Sequence, residues 1–206
     1  MKLQPGLMMD RPLLISAIIE HAEAQHGATE IVSRDTHGGV FRYSFAACAM
    51  RARRLGNALA GLGLPEGCAV GTLAWNNHRH VEIYYAVSGS GRIIHTCNPR
   101  LHPDQLAYIV NHAEDRVLFF DATFAALVAG LAARCPRIGA WICMTDGQNM
   151  PALEGIRNVY CYEELIAAES SRYAWPEIDE RAGAALCYTS GTTGNPKGAL
   201  YSHRSI

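Results

Sequence analysis

The sequence predicts an α/β fold, a mostly parallel sheet flanked by helices, and three features of its 206 residues lead there. From about residue 65, short apolar runs alternate with helical patterns. The spacing of strand, helix and strand suits crossover connections that cover a parallel sheet on both faces. A glycine- and hydroxyl-rich string then follows the last apolar run, where ligand loops sit on such sheets.

The elements follow in order. Pro12 to Ile19 is an apolar run of about eight residues within residues 1–22, closed by Glu20. It is too short to cross a bilayer and lacks a small-x-small cleavage site, so it reads as an amphipathic helix. Glu30 to Arg34 and Val40 to Ser44 form a hairpin around His37, Gly38 and Gly39, and a helix runs from Phe45 to Leu62 until Gly63 stops it. Ala69 to Ala74 is a buried strand, and Asn76 or Asn77 caps the helix that extends through Val87. Arg92 to Thr96 is the next strand. Asn98, Pro99 and Arg100 make a turn, and Pro103 opens a helix with Leu106, Ile109, Val110 and Ala113 at helical spacing. Arg116 to Phe120 is a third strand. Asp121 caps a helix striped by Phe124, Leu127, Val128 and Leu131, and Ile138 to Cys143 is a fourth strand. Residues 144–183 are the least regular, with one short helix near Tyr162 to Ala168, and read as a surface connection between two sheets. The chain stops just after a strand-like run, with no cap or tail, which suggests truncation.

Composition narrows the function. A chain of this length buries about 70% of its unfolded surface. Hydrophobic residues at 49% and charged residues at 18% suit a globular protein. A net charge of −1 and the lack of any basic block exclude a nucleic-acid partner. An anionic ligand must therefore be held locally. Seven cysteines stand singly with no C-x-x-C pair, so they read as buried free thiols of a cytoplasmic protein. His78, His80, His95 and His112 lack the spacing of a metal set and read as structural, and Tyr84 and Tyr85 as part of a core helix face.

The chemistry concentrates in Tyr188-Thr-Ser-Gly-Thr-Thr-Gly-Asn-Pro-Lys-Gly198, after the apolar strand Ala184 to Cys187. Gly191, Gly194 and Gly198 let backbone approach a ligand closely. Thr189, Ser190, Thr192 and Thr193 add hydroxyls, loop amides can converge on phosphate oxygens, and Lys197 brings a compact positive charge. Together they fit a polyphosphate tail. A Walker A loop is excluded, since Pro196 precedes Lys197 and Gly198 follows it. A solvated turn is the bland alternative, and the ordered length of the string speaks against it.

This string resembles the signature loop of the adenylate-forming superfamily: acyl- and aryl-CoA synthetases, firefly-type luciferases and peptide-synthetase adenylation domains. Leu200-Tyr-Ser-His-Arg-Ser205 continues the acyl-CoA synthetase version. Trp75-Asn-Asn-His-Arg-His80, Glu82-Ile-Tyr-Tyr-Ala-Val-Ser88, His95-Thr-Cys-Asn-Pro-Arg-Leu101 and Tyr108-Ile-Val-Asn-His-Ala-Glu-Asp115 resemble the medium-chain fatty acyl-CoA synthetase group. The 3-methylmercaptopropionyl-CoA ligases share these stretches.

The resemblance implies that residues 1–206 are the N-terminal part of an AMP-dependent synthetase/ligase domain, truncated after its phosphate-binding loop, with the C-terminal domain absent. It implies ATP and Mg²⁺ as cofactors, coenzyme A as co-substrate and a short- to medium-chain carboxylic acid as substrate. Thr189, Ser190, Gly191, Thr192, Thr193, Gly194 and Lys197 would hold the ATP phosphates, and the Thr189 hydroxyl would help hold Mg²⁺. His203 falls where the family brings a histidine near the acyl and nucleotide pockets, and a packing histidine is the equal alternative. The main catalytic residues, the adenine and ribose sites and most of the alkyl pocket would lie downstream of Ile206, leaving the 206 residues inactive alone. A full-length homodimer without a transmembrane segment is expected. Two other readings stand beside this one: adenylation of amino or aryl acids, and a non-catalytic nucleotide-binding module.

Overall fold

A computed structural model describes Gly6, residues 10–189 and residues 195–206. The first layer is laid down by α1 (Ile15–His26), the antiparallel hairpin β1 (Glu30–Arg34) and β2 (Val40–Ser44), and α2 (Phe45–Gly61). Ser44 caps α2 by accepting from the Ala47 amide, and Gly63 just beyond the helix takes φ +68°, the left-handed form that ends it.

Next come β3 (Ala69–Leu73), α3 (His78–Gly89), β4 (Ile93–Thr96), α4 (Pro103–His112), β5 (Val117–Phe120), α5 (Ala125–Ala132) and β6 (Ala140–Cys143). All five residues of β3 and all four of β5 and of β6 are buried, as strands covered on both faces must be. Alternation splits their side chains between two cores. Val117 and Phe119 pack with Leu55, Leu59, Ile83 and Val87 from α2 and α3. Leu118 and Phe120 pack with Leu106, Ile109 and Val110 of α4 and Val128 and Leu131 of α5.

Residues 144–183 correct the sequence reading. They carry β7 (Val159–Cys161), which pairs parallel with β6, and α6 (Tyr162–Ala167). The strand beyond them, β8 (Gly183–Thr189), pairs parallel with β4, and β9 (Lys197–Ser202) pairs antiparallel with β8. The segment therefore links strands of a single seven-stranded sheet, in the order β7-β6-β5-β3-β4-β8-β9, instead of joining two sheets. A three-residue strand is too short to show a period.

Asp121 is a second correction. The chain enters α5 through a 3₁₀ turn, Ala122–Phe124, which Asp121 precedes without capping it. Its buried carboxylate instead accepts from the Trp75 amide at 2.6 Å and from Asn77 Nδ2 at 3.0 Å. Asn77 meanwhile caps α3 through its Oδ1, 3.1 Å from the His80 amide. The five strands β4-β3-β5-β6-β7 follow the flavodoxin-like order, whose switch point lies between β3 and β5. Asp121 bridges the loops at that mouth. Tyr84 also departs from a core position: it is 39% exposed, while Tyr85 packs on the core.

The helical cover is held by a buried ionic cluster. Glu82 on α3 has no exposed surface, and burial raises its pKa. Arg51 Nε on α2 donates to it at 2.8 Å and the Tyr162 hydroxyl at 2.7 Å. The Arg51 guanidinium also grips Glu163 with two bonds of 2.9 Å, and Arg79 adds another at 2.7 Å. No helix among the described residues is long and apolar enough to cross a membrane. The seven cysteines are free, as expected, five of them buried.

Removing Arg51 leaves the buried Glu82 without its cation, and Glu163 with Arg79 alone. Arg51→Met is expected to destabilise the fold by about 3–5 kcal/mol, read as a lower urea midpoint. Adding Glu82→Gln should recover part of that loss. Equal midpoints for wild type and Arg51→Met would contradict the role given to this cluster.

Candidate functional site: the open end of the β8–β9 hairpin

The phosphate-loop string begins on β8 and ends on β9. Tyr188 pairs with Gly198 and Thr189 with Lys197, the last rung before the loop. Directly opposed residues project to the same face, so Thr189 and Lys197 stand side by side, both exposed. A hydroxyl and an ammonium thus flank the loop's mouth. Pro196 is buried just ahead of Lys197. Ser190, Gly191, Thr192, Thr193 and Gly194 lie outside the described residues. Beyond the string the chain returns as a strand, β9, antiparallel to β8, where many phosphate loops lead into a helix N-terminus.

Tyr188 sits on the opposite face of β8. Its hydroxyl lies 2.6 Å from His112 Nδ1 on α4. Its ring centroid is 5.0 Å from that of His95 on β4. A Cβ added to Gly198 would lie 3.2 Å from Tyr188 Cζ and 3.0 Å from Leu186 Cδ1, tighter than normal contact, so glycine is what lets β9 pass over the ring.

His95 is fully buried, and its Nδ1 lies 2.7 Å from Asp115 Oδ2. Burial works against a charged imidazole, but Cys97 and Asp115 more than offset it and lift the His95 pKa to about 10. Burial also raises the Asp115 and Cys97 pKa values. The donor atoms of His95, Cys97 and Asp115 all lie within 4.8 Å of one another, a grouping the sequence reading did not find. Cys97 Sγ is 3.9 and 3.7 Å from the two ring nitrogens. A sulfur so nearly equidistant is not aligned with Asp115 around one nitrogen lone pair, so the set is an ion pair with a thiol against it. Elsewhere, His78 stacks on Phe41 at 3.8 Å and His80 bonds Thr72 Oγ1 at 3.1 Å. Burial holds them down to about 3 and about 4.

His203 is 3% exposed and opens a 3₁₀ turn, His203–Ser205. Its Nδ1 accepts from the Ile15 amide at 3.3 Å, supplying the start of α1 with the acceptor that Leu14 does not. That bond needs an unprotonated Nδ1, and burial lowers the His203 pKa accordingly. The ring also borders an apolar groove of about 540 Å³ lined by Leu14, Ala17, Ile18 and Ile206. His95, His112, Asp115 and Tyr188 all stand in stretches the sequence singles out, but only the fold brings His112 to Tyr188 and His95 to Asp115.

A mostly parallel sheet that carries a hydroxyl- and glycine-rich string and one lysine at the open end of its last hairpin defines an α/β protein, and the comparisons narrow this class. The chain belongs to the AMP-binding enzyme family, whose model matches residues 18–206. It is similar to the 3-methylmercaptopropionyl-CoA ligase of Ruegeria lacuscaerulensis, 54% identical over 97% of this chain and 37% of that protein. It is also similar to the medium-chain-fatty-acid–CoA ligase of Ectopseudomonas oleovorans, 46% identical over 97% of this chain and 36% of that protein. Among solved structures, an anthranilate CoA ligase in complex with anthranoyl-AMP shares the fold. Its TM-score is 0.81 at 24% identity, over 95% of this chain and 36% of that one. The chain thus spans little more than a third of its curated relatives' length.

The His95–Asp115 pair sets a pH dependence. His95 has a folded pKa raised to about 10, above an unfolded value of about 6.5. Its contribution to stability is fully present below about pH 6.5 and is lost as pH rises through 10. The melting-temperature gap between wild type and Asp115→Asn should therefore be widest near pH 6 and shrink towards pH 10. A gap constant over that range would refute the pairing.

Proposed function

We propose that this chain is the N-terminal part of the AMP-dependent synthetase/ligase domain of an acyl-CoA ligase acting on short- to medium-chain carboxylic acids. The observation that carries the reading is the 54% identity, across 97% of the chain, to a protein named as a 3-methylmercaptopropionyl-CoA ligase. In the first half-reaction a carboxylate oxygen bonds to the α-phosphorus of ATP and the bond to the β-phosphate bridge breaks. The products are acyl-AMP and pyrophosphate. In the second, the coenzyme A thiol attacks the acyl carbon, loses its proton and expels AMP.

Thr189, Ser190, Gly191, Thr192, Thr193, Gly194 and Lys197 hold the β- and γ-phosphates in this reading. Charge grows on the departing pyrophosphate, and fixed donors with a cation beside them favour that state over the ground state. Mg²⁺ takes oxygen ligands, mainly phosphate and water with one or two protein groups, and the exposed Thr189 hydroxyl fits as one of them. The ion would neutralise phosphate charge. His203, beside its apolar groove, is assigned to the acyl side. A cytoplasmic homodimer belongs to the same reading, and the remaining catalytic groups belong to the longer protein.

Pyrophosphate release and thioester formation across a panel of acids test this. A protein of the relatives' full length should prefer straight-chain acids and 3-methylmercaptopropionate. Affinity should rise by about 0.8 kcal/mol per buried methylene until the pocket fills. The 206-residue chain alone should make no acyl-CoA, because lost positioning is worth roughly 7–11 kcal/mol. Preference for amino acids, or release of pyrophosphate without a thioester, would overturn the acyl-CoA reading.

Lys197 tests the phosphate role separately. Charge-assisted contacts contribute about 1.5–3 kcal/mol, so Lys197→Ala should slow acyl-AMP formation tenfold or more. Thioester formation from supplied acyl-AMP should be nearly unchanged. Equal slowing of both steps would remove Lys197 from the phosphates.

A further inference from the structure

Tyr188 lies on β8 one residue before the last rung and is gripped from three elements. The first is α4. His112 Nδ1 lies 2.6 Å from the hydroxyl, and the His112 ring meets the Tyr188 ring edge-on at 5.8 Å. Tyr108 stacks on His112 at 5.4 Å, and Asn111 beside it donates to the carbonyls of Ala107 and Arg134 at 2.8 and 2.9 Å. His112 is therefore held in place itself. The second is β4, where His95, anchored by Asp115 at 2.7 Å, packs against the ring at 5.0 Å. The third is β9, whose backbone at Gly198 lies against the ring.

The covalent neighbours of these contacts matter most. Tyr188 precedes Thr189, and its partner Gly198 follows Lys197. Strand alternation places Tyr188 on one face and Thr189 with Lys197 on the other. A ring locked below the sheet thus fixes, through one rung of backbone, the hydroxyl and the ammonium above it. We infer that Tyr188, held by His112, is a positioning residue for the nucleotide phosphates: it sets the separation and facing of Thr189 and Lys197. Tyr188 touches no phosphate and acts through its neighbours. The inference rests on the phosphate role proposed above for those two residues.

The test pairs kinetics of the full-length protein with exchange measurements on the 206-residue chain. Tyr188→Phe keeps the ring and removes the hydroxyl, and His112→Gln removes the imidazole. Each should raise KM for MgATP about threefold to tenfold in acyl-AMP formation, consistent with one net hydrogen bond. Thioester formation from supplied acyl-AMP should not change. The double variant should match the singles instead of multiplying them, because both remove the same bond. In the 206-residue chain, both substitutions should speed amide exchange at residues 187–189 and 197–199 while leaving β3 and β5 protected. An unchanged KM, multiplying effects, equal slowing of the thioester step, or unaltered exchange at those amides would overturn the inference. Should the wild-type full-length protein release no pyrophosphate with any acid, the proposed function falls. The exchange data then decide separately whether the Tyr188–His112 bond holds the hairpin end.

Discussion

Glu82 is a carboxylate with no exposed surface in the middle of an apolar helix layer, and the cover of one sheet face depends on satisfying it. An isolated charge in such a place would cost many kcal/mol, so partners must come to it. Arg51 comes from α2 and Tyr162 from α6, which lies after β7 in the chain. Glu163 and Arg79 then complete the charge balance around Arg51. One buried acid on α3 thus specifies how α2 and α6 are set, and with them where β7 joins the edge of the sheet.

The opposite edge of the sheet carries the candidate site, at the open end of the β8–β9 hairpin. Where a phosphate loop runs into a helix, aligned peptide dipoles supply part of the positive potential. Here the loop returns as β9, and strands carry little net dipole. Under the proposed function, positive charge would come from a side chain and from an ion arriving with the nucleotide. The Lys197 ammonium and the Thr189 hydroxyl at the last rung suit those two needs. The β3–β5 switch point, where ligands of this strand order usually bind, is instead spanned by Asp121.

Legibility in the sequence followed the length of each signal. The β1–β2 hairpin, α2 and the four strands from β3 to β6 lie within a residue or two of their expected places, because each has several periodic residues and a turn or cap beside it. β7 was invisible because three residues hold no period, and its pairing is decided by β6. Asp121 followed the pattern of a cap, but the Trp75 amide and Asn77 amide group offered its carboxylate a stronger pair of bonds than α5 did. At the candidate site, the composition of the string from Tyr188 to Gly198 carried the expectation of phosphate binding. That Tyr188 meets His112 and His95 could not be read, since it depends on pairing β8 beside β4, with most of the α/β unit between them in sequence.

That separation shapes how the molecule assembles. The pairings among β3, β4, β5, β6 and β7 connect nearby stretches of chain, whereas Ile94 must find Ala185. Closing so long a loop is slow relative to the local crossovers, so the five-strand unit is set to form early and the hairpin to dock late. Until it docks, β4 is a bare apolar edge, the kind of strand on which chains aggregate. The hairpin that bears the candidate loop therefore also covers the edge of β4, and its arrival takes that apolar strand out of reach of other chains.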